Sequence, residues 1–471
     1  MAGIVSELRR RKPRIGVLGI MQELYIPIHP GIKERQESFA REVIASLGNG
    51  IEFVFPEAAT NRESIERLLR QFNTDSCDGV IIIMLTYGAS FLTYNALRQN
   101  RLPIFLANIQ PEPEVGTDWD MADLTYNQGI HGAQDTGNAL MWSGSSYSVW
   151  SGNWRDVSFR TRVSEWATVV RVVSDLPKIR ISQVGQMIAM GDIQANPAEL
   201  LRTFGIQIDQ TGIGLIYHEM ESVTEQEVDA VIAENRAAFE IDPQIPEDRH
   251  RYAARFQIGI KKFLLRMGYA GVSVYFNAPA DDGRFLQIPL MAASNLMAEG
   301  FGYGGEGDVM ATVLVTIGQL LEEDASFIEM YAMDFSRGSI LMSHMGEGNW
   351  KIARTDRPIR LVDRPLGIGG LQNPPTTVFS AEPGPATLVT LITRPEGGFR
   401  LILSRGRILD TEEMPNVEMP YYHYKPDTGI EATMNGWLSN GGSHHQCIHL
   451  GDQEDKWRLF CEVTGIEFVR V

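Results

Sequence analysis

Two hydrophobic patterns alternate over roughly the first 110 residues. The runs RIGVLGIM, GVIIIML and LPIFLANI are apolar at nearly every position, whereas IKERQESFAREVIASL and RESIERLLRQF place apolar residues three or four apart. Continuous apolar runs predict strands buried on both faces, and the amphipathic segments predict helices. Strands joined through helices indicate a Rossmann-like, doubly wound α/β sheet.

The pattern changes twice further along. From about residue 178, helical segments such as TEQEVDAVIAENRAAF surround the strand-like runs KIRISQVGQMIAM and GVSVYF, which predicts a second α/β region. Beyond about residue 325, short β-type runs such as SILMSHM, TTVFSAE and FRLILSRGRIL predict a mostly-β barrel. We therefore expect an N-terminal domain at 1–177, a central α/β domain at 178–324 and a C-terminal β-rich domain at 325–471.

Ligands of doubly wound sheets bind beyond the carboxyl ends of the strands. Here those ends carry Gln22 in GIMQELY, and Thr86 and Tyr87 in IMLTYGAS. Residues 111–160 are rich in Gly, Asn, Trp and Asp, which indicates a functional loop followed by a helix.

The amino-acid composition limits the kinds of ligand and the cellular location that are expected for this chain. The chain has 471 residues, 44% of them hydrophobic, and a formal net charge of −17, which disfavours nucleic acid as a ligand. The basic run RRRKPR at 9–14 favours a solvated N-terminal arm. Three cysteines without a C-x-x-C, no signal-type apolar segment and no run of about 18 apolar residues predict a cytoplasmic protein that does not enter a membrane.

The stretch EGFGYGGEGDVMATVLV contains G-x-G-x-x-G at Gly300, Gly302 and Gly305. A dinucleotide fingerprint needs a strand ahead of it, but the preceding PLMAASNLMAEG has helical spacing, so we expect no nucleotide cofactor. Asp308 fits the N-cap of the helix that follows, and Glu306 then stands at the helix entrance. Small glycines would let the backbone pack closely and present this one carboxylate, although an ordinary capping cluster fits the same residues.

Two carboxylates and one or two imidazoles would suit a metal ion, and the chain offers a scattered set of such residues. Glu306, Glu329, His344 and the pair His444 and His445 suit a divalent cation with open coordination positions, Mn²⁺ more than a structural zinc. Adjacent residues on a strand face opposite ways, so His444 and His445 are not expected to reach one site together, whereas His449 shares the face of His445.

The ordered set YNQGIHG, GEGD, SFIEMY, SHM, LGIGG and GGSHH resembles the L-arabinose isomerase family along nearly the whole chain. The resemblance implies a Rossmann-like N-terminal domain, a central α/β domain and a C-terminal barrel. It also implies a homo-oligomer, a tetramer or hexamer, in which the N-terminal domain of a neighbouring subunit completes each active site.

Residue roles follow from the same resemblance. The metal ligands would be Glu306, Glu329, His344 and His445, holding Mn²⁺ or another divalent cation such as Co²⁺ or Mg²⁺. The two glutamates would also be the catalytic acid and base that carry an aldose to a ketose through an enediol. Candidate contacts of the sugar are Gln22, Tyr87, Gln128, His131, Met187, Phe276, Ile368 and His444. Taken alone, His131 could instead hold its loop, and Met187 could be a core residue.

Departures from the family pattern leave the sugar open. Val309 and Met310 replace a tryptophan and a lysine, Met330 replaces an acid, and GEGNWKI and GAQDTG replace LEVCPSI-like and GGREFG segments. L-Arabinose is the leading substrate, and a related or modified aldose of the D-galactose or L-fucose type is the alternative. A non-catalytic sugar-binding protein and a nicotinamide-dependent oxidoreductase are the rival classes.

Overall fold

A computed structural model describes residues 3–321 and 324–471 as two compact units. The N-terminal unit comprises residues 11–174 and 455–465, and the main unit comprises the described residues of 1–10, 175–454 and 466–471. The three domain boundaries given above stay predictions.

The strands, in chain order, are β1 Arg14–Ile20, β2 Glu52–Val54, β3 Gly79–Met84, β4 Ile104–Asn108, β5 Tyr147–Ser151, β6 Arg180–Val184, β7 Gln207–Gln210, β8 Glu240–Ile241, β9 Gly271–Val274, β10 Gly302–Gly305, β11 Ser326–Asp334, β12 Ser339–Ser343, β13 Arg360–Asp363, β14 Pro375–Val378, β15 Gly384–Thr393, β16 Phe399–Ile408, β17 Tyr421–Pro426, β18 His445–Leu450 and β19 Glu467–Arg470.

The α-helices are α1 Ile4–Arg10, α2 Tyr25–Ile28, α3 Ile32–Ser46, α4 Arg62–Thr74, α5 Tyr94–Gln99, α6 Met121–Asn127, α7 Gly129–Ser143, α8 Val157–Asp175, α9 Pro197–Phe204, α10 Gly214–Glu221, α11 Glu225–Ala238, α12 Glu247–Met267, α13 Ala278–Asp282, α14 Leu290–Ala298, α15 Val309–Leu321, α16 Ile430–Ser439 and α17 Glu454–Thr464. Short 3₁₀ turns lie at Ser90–Leu92, Leu176–Lys178, Trp350–Ile352 and Ile368–Gly370.

The N-terminal unit contains the predicted parallel sheet, in the order β2-β1-β3-β4-β5. Its strands are apolar on both faces because helices cover both faces, as in β3, where every residue is buried. The strand order reverses between β1 and β3, so their carboxyl ends border the crevice where such sheets bind ligands. The prediction of a loop followed by a helix at 111–160 was incomplete, because α6 and α7 are followed there by the edge strand β5.

The main unit contains a parallel sheet in the order β10-β9-β6-β7 and an antiparallel barrel. In the barrel, β15, β18, β11, β12, β17 and β16 pair in succession, and β16 pairs again with β15, which closes the ring. Strand β19 runs parallel to β16 beside it. The fold class predicted from the sequence is therefore confirmed: two parallel α/β sheets precede a β-barrel.

The segments around β13 and β14 are not barrel strands, although their pattern suggested it. β13 pairs with β14 and also, in parallel, with β8 from the preceding α/β region, forming a separate three-stranded sheet. Hydrophobic alternation predicts that a segment is a strand but carries no information about a partner about 120 residues away.

The basic run at 9–14 is not a solvated arm. Val5 and Leu8 of α1 are buried. The guanidinium of Arg11 donates two hydrogen bonds of 2.8 Å to the carboxylate of Asp78, whose side chain is 3% exposed. The basic run therefore contributes a structural ion pair through Arg11. Among the described helices, none is both long and apolar enough to cross a membrane.

The glycine run folds as strand β10, which packs tightly against α15. A Cβ built on Gly304 would lie 2.5 Å from the backbone oxygen of Asp308 and 2.9 Å from the backbone nitrogen of Thr312. Every residue of α15 is buried, so the helix has no free side toward which it can move. The glycine is required by this close approach and not by a bound phosphate.

We expect Gly304→Ala to lower the free energy of unfolding by about 1–3 kcal/mol or more, because the added methyl meets backbone atoms on a fixed helix. Chemical denaturation of the purified variant measures this. Gly212→Ala is the matched control, since a Cβ at Gly212 meets nothing within 4 Å. Equal stabilities of the two variants would contradict the close packing described for β10 and α15.

Candidate metal centre

Glu306 is the first residue of the three-residue turn, 306–308, that joins β10 to α15. Its backbone is left-handed, with φ of 62°, and Gly307 follows with φ of 81°. Left-handed backbone is costly for a residue with a side chain, so a glutamate kept there is a candidate functional residue. The turn ends at Asp308, whose Oδ1 accepts a hydrogen bond of 3.0 Å from the backbone nitrogen of Ala311 and caps the helix as predicted.

Glu329, His344 and His445 come together through barrel pairing. Glu329 on β11 is directly opposite His445 on β18 and Ser343 on β12, and His344 follows Ser343. Three neighbouring strands therefore each bring one side chain to the same end of the sheet. Sequence order alone does not show this, because the ladder joins residues more than 100 positions apart.

His444 also reaches the cluster, contrary to the expectation that the histidine pair would face opposite ways. Strand β18 begins at His445, so His444 belongs to the preceding turn and the alternation of a strand does not apply to it. The two ring centroids are 4.1 Å apart. His449 does share a strand face with His445 but is paired elsewhere, since its Nδ1 lies 3.3 Å from Asp324 Oδ1.

The imidazole Nε2 atoms and the carboxylates converge. His445 Nε2 lies 3.2 Å from Glu329 Oε1 and 3.8 Å from Glu306 Oε2. His444 Nε2 lies 3.7 Å and 3.8 Å from the same two oxygens, and His344 Nε2 lies 3.8 Å from Glu329 Oε1. The structure therefore assembles all four residues proposed as metal ligands, with His444 as a fifth member.

A second carboxylate fixes the orientation of each imidazole. In every case Nδ1–H donates to the carboxylate, which leaves Nε2 directed into the cluster. These contacts are His445 to Asp308 Oδ2 at 2.8 Å, His344 to Glu347 Oε2 at 2.6 Å and His444 to Asp192 Oδ2 at 2.6 Å.

Three ligand-type atoms of the cluster are left without partners. Glu306 Oε2, His344 Nε2 and His445 Nε2 are buried and accept or donate no hydrogen bond among the described residues. Buried polar atoms without partners are uncommon and call for an ion or water. Two overlapping groups have the spacing for a metal ion, Glu306 with His444 and His445, and Glu329 with His344 and His445. Nitrogen and carboxylate ligands of this kind fit a divalent cation.

The charges of the cluster favour a cation at its centre. Burial opposes protonation of His445, but Asp308 and Glu329 outweigh it and raise the pKa to about 9. The pKa of His444 rises to about 10, chiefly through its hydrogen bond to Asp192. Burial alone would raise the pKa of Glu329, but the imidazoles of the cluster lower it below its usual value. Positive charge is therefore stabilised at this position.

A cavity of about 190 Å³ adjoins the cluster, and Glu306 and His344 form part of its wall. Phe276, one of the candidate sugar contacts that the family resemblance implied, lines this cavity. Met187 donates its backbone N–H to the carbonyl of Glu306 at 2.9 Å, whereas Met190, three residues later, lines the cavity. The side chain of Ile368 lies outside the described part of the chain.

The remaining candidate sugar contacts lie in the N-terminal unit. Gln22 and Tyr87 follow β1 and β3, and the backbone N–H of Gln22 donates to Thr86 Oγ1 at 3.0 Å. Gln128 and His131 are at the start of α7, joined by a backbone hydrogen bond of 3.2 Å. The first turn of α7 packs on the end of β3, so all four residues share one edge of that sheet. They are not members of the metal-type cluster, and their role stays a prediction.

Sequence reasoning missed the outer carboxylates Asp192 and Glu347 and the second role of Asp308. Glu347 is three residues after His344, and its other oxygen accepts a hydrogen bond of 3.1 Å from Tyr303. An acid three residues from a ligand histidine is a usable signal. Asp192 offers none, because about 250 residues separate it from His444.

Three protein-family models match the chain in succession. They are the L-arabinose isomerase N-terminal domain at residues 20–178, the central domain at 183–324 and the C-terminal domain at 324–467.

Curated relatives are similar over nearly their full length. L-arabinose isomerase of Clostridium beijerinckii is 28% identical over 428 residues, covering 88% of this chain and 86% of that protein. L-arabinose isomerase 1 of Bacillus licheniformis is 26% identical over 449 residues, covering 92% and 90%. L-arabinose isomerase of Geobacillus kaustophilus is 28% identical over 432 residues, covering 88% and 86%.

We expect Asp308→Asn to weaken Mn²⁺ binding about 10–100-fold, the usual effect of losing an outer partner of a ligand histidine. Asparagine still caps the helix through its Oδ1, but the Nδ2 that replaces Oδ2 cannot accept the His445 Nδ1 proton. Calorimetric titration of metal-stripped protein measures the affinity. Asp120→Asn is the matched control, since Asp120 caps α6 and touches no ligand. Unchanged Mn²⁺ affinity in Asp308→Asn would contradict the role given to Asp308.

Proposed function

Because the chain belongs to the L-arabinose isomerase family, we propose that it interconverts L-arabinose and L-ribulose with the aid of a divalent cation, Mn²⁺ in the first instance. The chain is a sugar isomerase, an intramolecular oxidoreductase. The observation that carries the proposal is the cluster in which unsatisfied ligand atoms of Glu306, His344 and His445 lie close together and close to Glu329.

Aldose–ketose interconversion moves one proton from C2 to C1 and a matching proton from O2 to O1. It therefore needs carboxylates that accept and return protons beside those carbons. Glu306 and Glu329 fit this task, since both lie within 4 Å of the same imidazole nitrogens of His444 and His445.

The surrounding residues support this chemistry by orientation. Asp308, Glu347 and Asp192 accept hydrogen bonds from Nδ1 of the three imidazoles, which leaves each Nε2 directed into the cluster. The backbone N–H of Met187 donates to the carbonyl of Glu306. A bound divalent cation would stabilise negative charge on the sugar oxygens O1 and O2. The rival classes gain no support, because a sugar binder does not need two carboxylates of this kind, and Gly302 and Gly305 of the G-x-G-x-x-G lie within strand β10.

We expect metal-stripped protein to make no L-ribulose from L-arabinose and to regain turnover with added Mn²⁺. Glu306→Gln should lower kcat about 10²–10⁴-fold, because the amide cannot exchange the proton. Ketose formation is followed by chromatography, with exposed Glu234→Gln as the control. Full turnover in Glu306→Gln, or turnover without any metal, would refute the mechanism.

We also propose that the enzyme is a homo-oligomer in which a neighbour supplies Gln22, Tyr87, Gln128 and His131. The N-terminal unit exposes several large apolar side chains, which a subunit interface would bury. They include Phe91 at 87%, Trp142 at 71%, Met141 at 63% and Leu24 at 61% exposure. No nucleic acid or membrane partner is proposed for this acidic chain.

Mixing two inactive variants tests shared sites. If His131 acts on a neighbour's cluster, co-refolded or co-expressed His131→Ala and Glu306→Gln chains should recover about a quarter of the wild-type activity, since a random mixture leaves that share of sites intact. Each variant mixed with itself is the control. Mixed oligomers, verified by differential tagging, that stay inactive would show that His131 does not act across subunits.

A further inference from the structure

The cavity beside the cluster bears on which sugar the enzyme takes, an inference that rests on the proposed isomerase function. Its volume of about 190 Å³ is far above the roughly 10–15 Å³ that one water molecule requires by the same measure. Because Glu306 and His344 belong to its wall, a sugar whose C1 and C2 lie at the cluster can direct its other end into this space.

The wall of the cavity offers almost no free hydrogen-bonding group. Tyr303 already donates to Glu347 Oε1, and Glu347 Oε2 already accepts from His344. The unsatisfied atoms of Glu306 and His344 face the cluster and are the atoms assigned to the metal. The rest of the wall is apolar and includes Met190, Val274, Phe276, Ile288, Leu290 and Leu366.

An apolar wall discriminates between sugars by the group that enters it. A buried methyl gains about 0.8 kcal/mol, equivalent to about fourfold in kcat/KM, relative to hydrogen at the same position. A hydroxyl without a partner loses its hydrogen bonds to water instead. Pockets of this kind favour the apolar member of such a pair by about 10–100-fold.

We infer that the cavity receives the group attached to C5 of the sugar, and that the preferred substrates are 6-deoxyaldoses with the configuration of L-arabinose. Four sugars share that configuration at C2 to C4 and differ only in the C5 group. This group is hydrogen in L-arabinose, methyl in D-fucose, hydroxymethyl in D-galactose and carboxylate in D-galacturonate.

The buried side chain of Arg364 would favour a carboxylate, and not a methyl group, at C5. Its Nη1 is buried without a partner among the described residues and lies 3.3 Å from a Cβ built on Gly346, beside the cavity wall. A carboxylate would complement it. However, Arg364 is not itself among the wall residues, and the negative charges of Glu347 and Glu418 already act on it. The structure therefore favours methyl over carboxylate.

The test compares kcat/KM for the four sugars with the Mn²⁺-loaded enzyme. D-Fucose should exceed D-galactose by about 10–100-fold and should equal or exceed L-arabinose by up to about fourfold. Binding of the unreactive alditols, measured by calorimetry, should follow the same order, with fucitol tighter than galactitol. This second readout does not depend on turnover.

Val274→Thr places a hydroxyl in the cavity wall at nearly constant shape, and it should reduce the D-fucose to D-galactose ratio several-fold. Val389→Thr makes the same change at a buried position of barrel strand β15 and should leave the ratio unchanged. Thermal unfolding of both variants verifies folding. Should Val274→Thr not fold, the sugar and alditol series on the wild-type enzyme still decide.

Each outcome is decisive. No ketose from any of the four sugars would overturn the proposed function itself. Turnover of L-arabinose with D-fucose no better than D-galactose would overturn this inference alone. D-Galacturonate as the best substrate would also overturn it and would assign the C5 group to Arg364. An unchanged sugar ratio in folded Val274→Thr would also overturn the inference, since the cavity wall would then not meet the C5 group.

Discussion

The arrangement of the site depends on the close packing of a glycine strand against the helix that follows it. With glycine at three of its four positions, β10 lets the first turn of α15 lie against the strand backbone, and only Glu306, Gly307 and Asp308 connect the two elements. Glu306 has a left-handed backbone in this connection, and its Oε2 lies 3.8 Å from Nε2 of both His444 and His445. Asp308 then caps α15 with one oxygen and holds His445 with the other. One short turn thus ties the α/β part of the main unit to barrel strand β18.

The outer carboxylates solve an electrostatic problem. Burying several imidazoles and carboxylates together is unfavourable unless each polar atom has a partner and the charges balance. Pairing each Nδ1 with its own carboxylate satisfies the outer side of every ring, and the inner side is left for a shared cation. The cluster is consequently incomplete as a set of protein groups alone, which is the property expected of a binding site and not of a structural core.

The local pattern of hydrophobic and capping residues was sufficient to predict the elements that depend only on residues near one another in the sequence. The parallel sheets, the barrel, the cap at Asp308 and the entrance position of Glu306 follow from periodicity and helix-start chemistry. Pairing over long separations does not, and for that reason the β8–β13 partnership and the Asp192–His444 contact were missed. His444 was expected to face away from the cluster, but it lies one residue before β18 begins, where side chains do not alternate between the two faces of a strand. The ligand set itself came from resemblance, since spacing could not show that these residues meet.

The position of β18 near the end of the chain has a consequence for biosynthesis. Glu306, Glu329 and His344 leave the ribosome at least 100 residues before His445. At that stage β11, which carries Glu329, can pair with β12 but not yet with β18. The barrel ring cannot close until β18 inserts between β11 and β15. During translation, the three earlier ligands are therefore present without the residue that both candidate metal groups share. The complete set of candidate ligands can accordingly come together only after the barrel has closed.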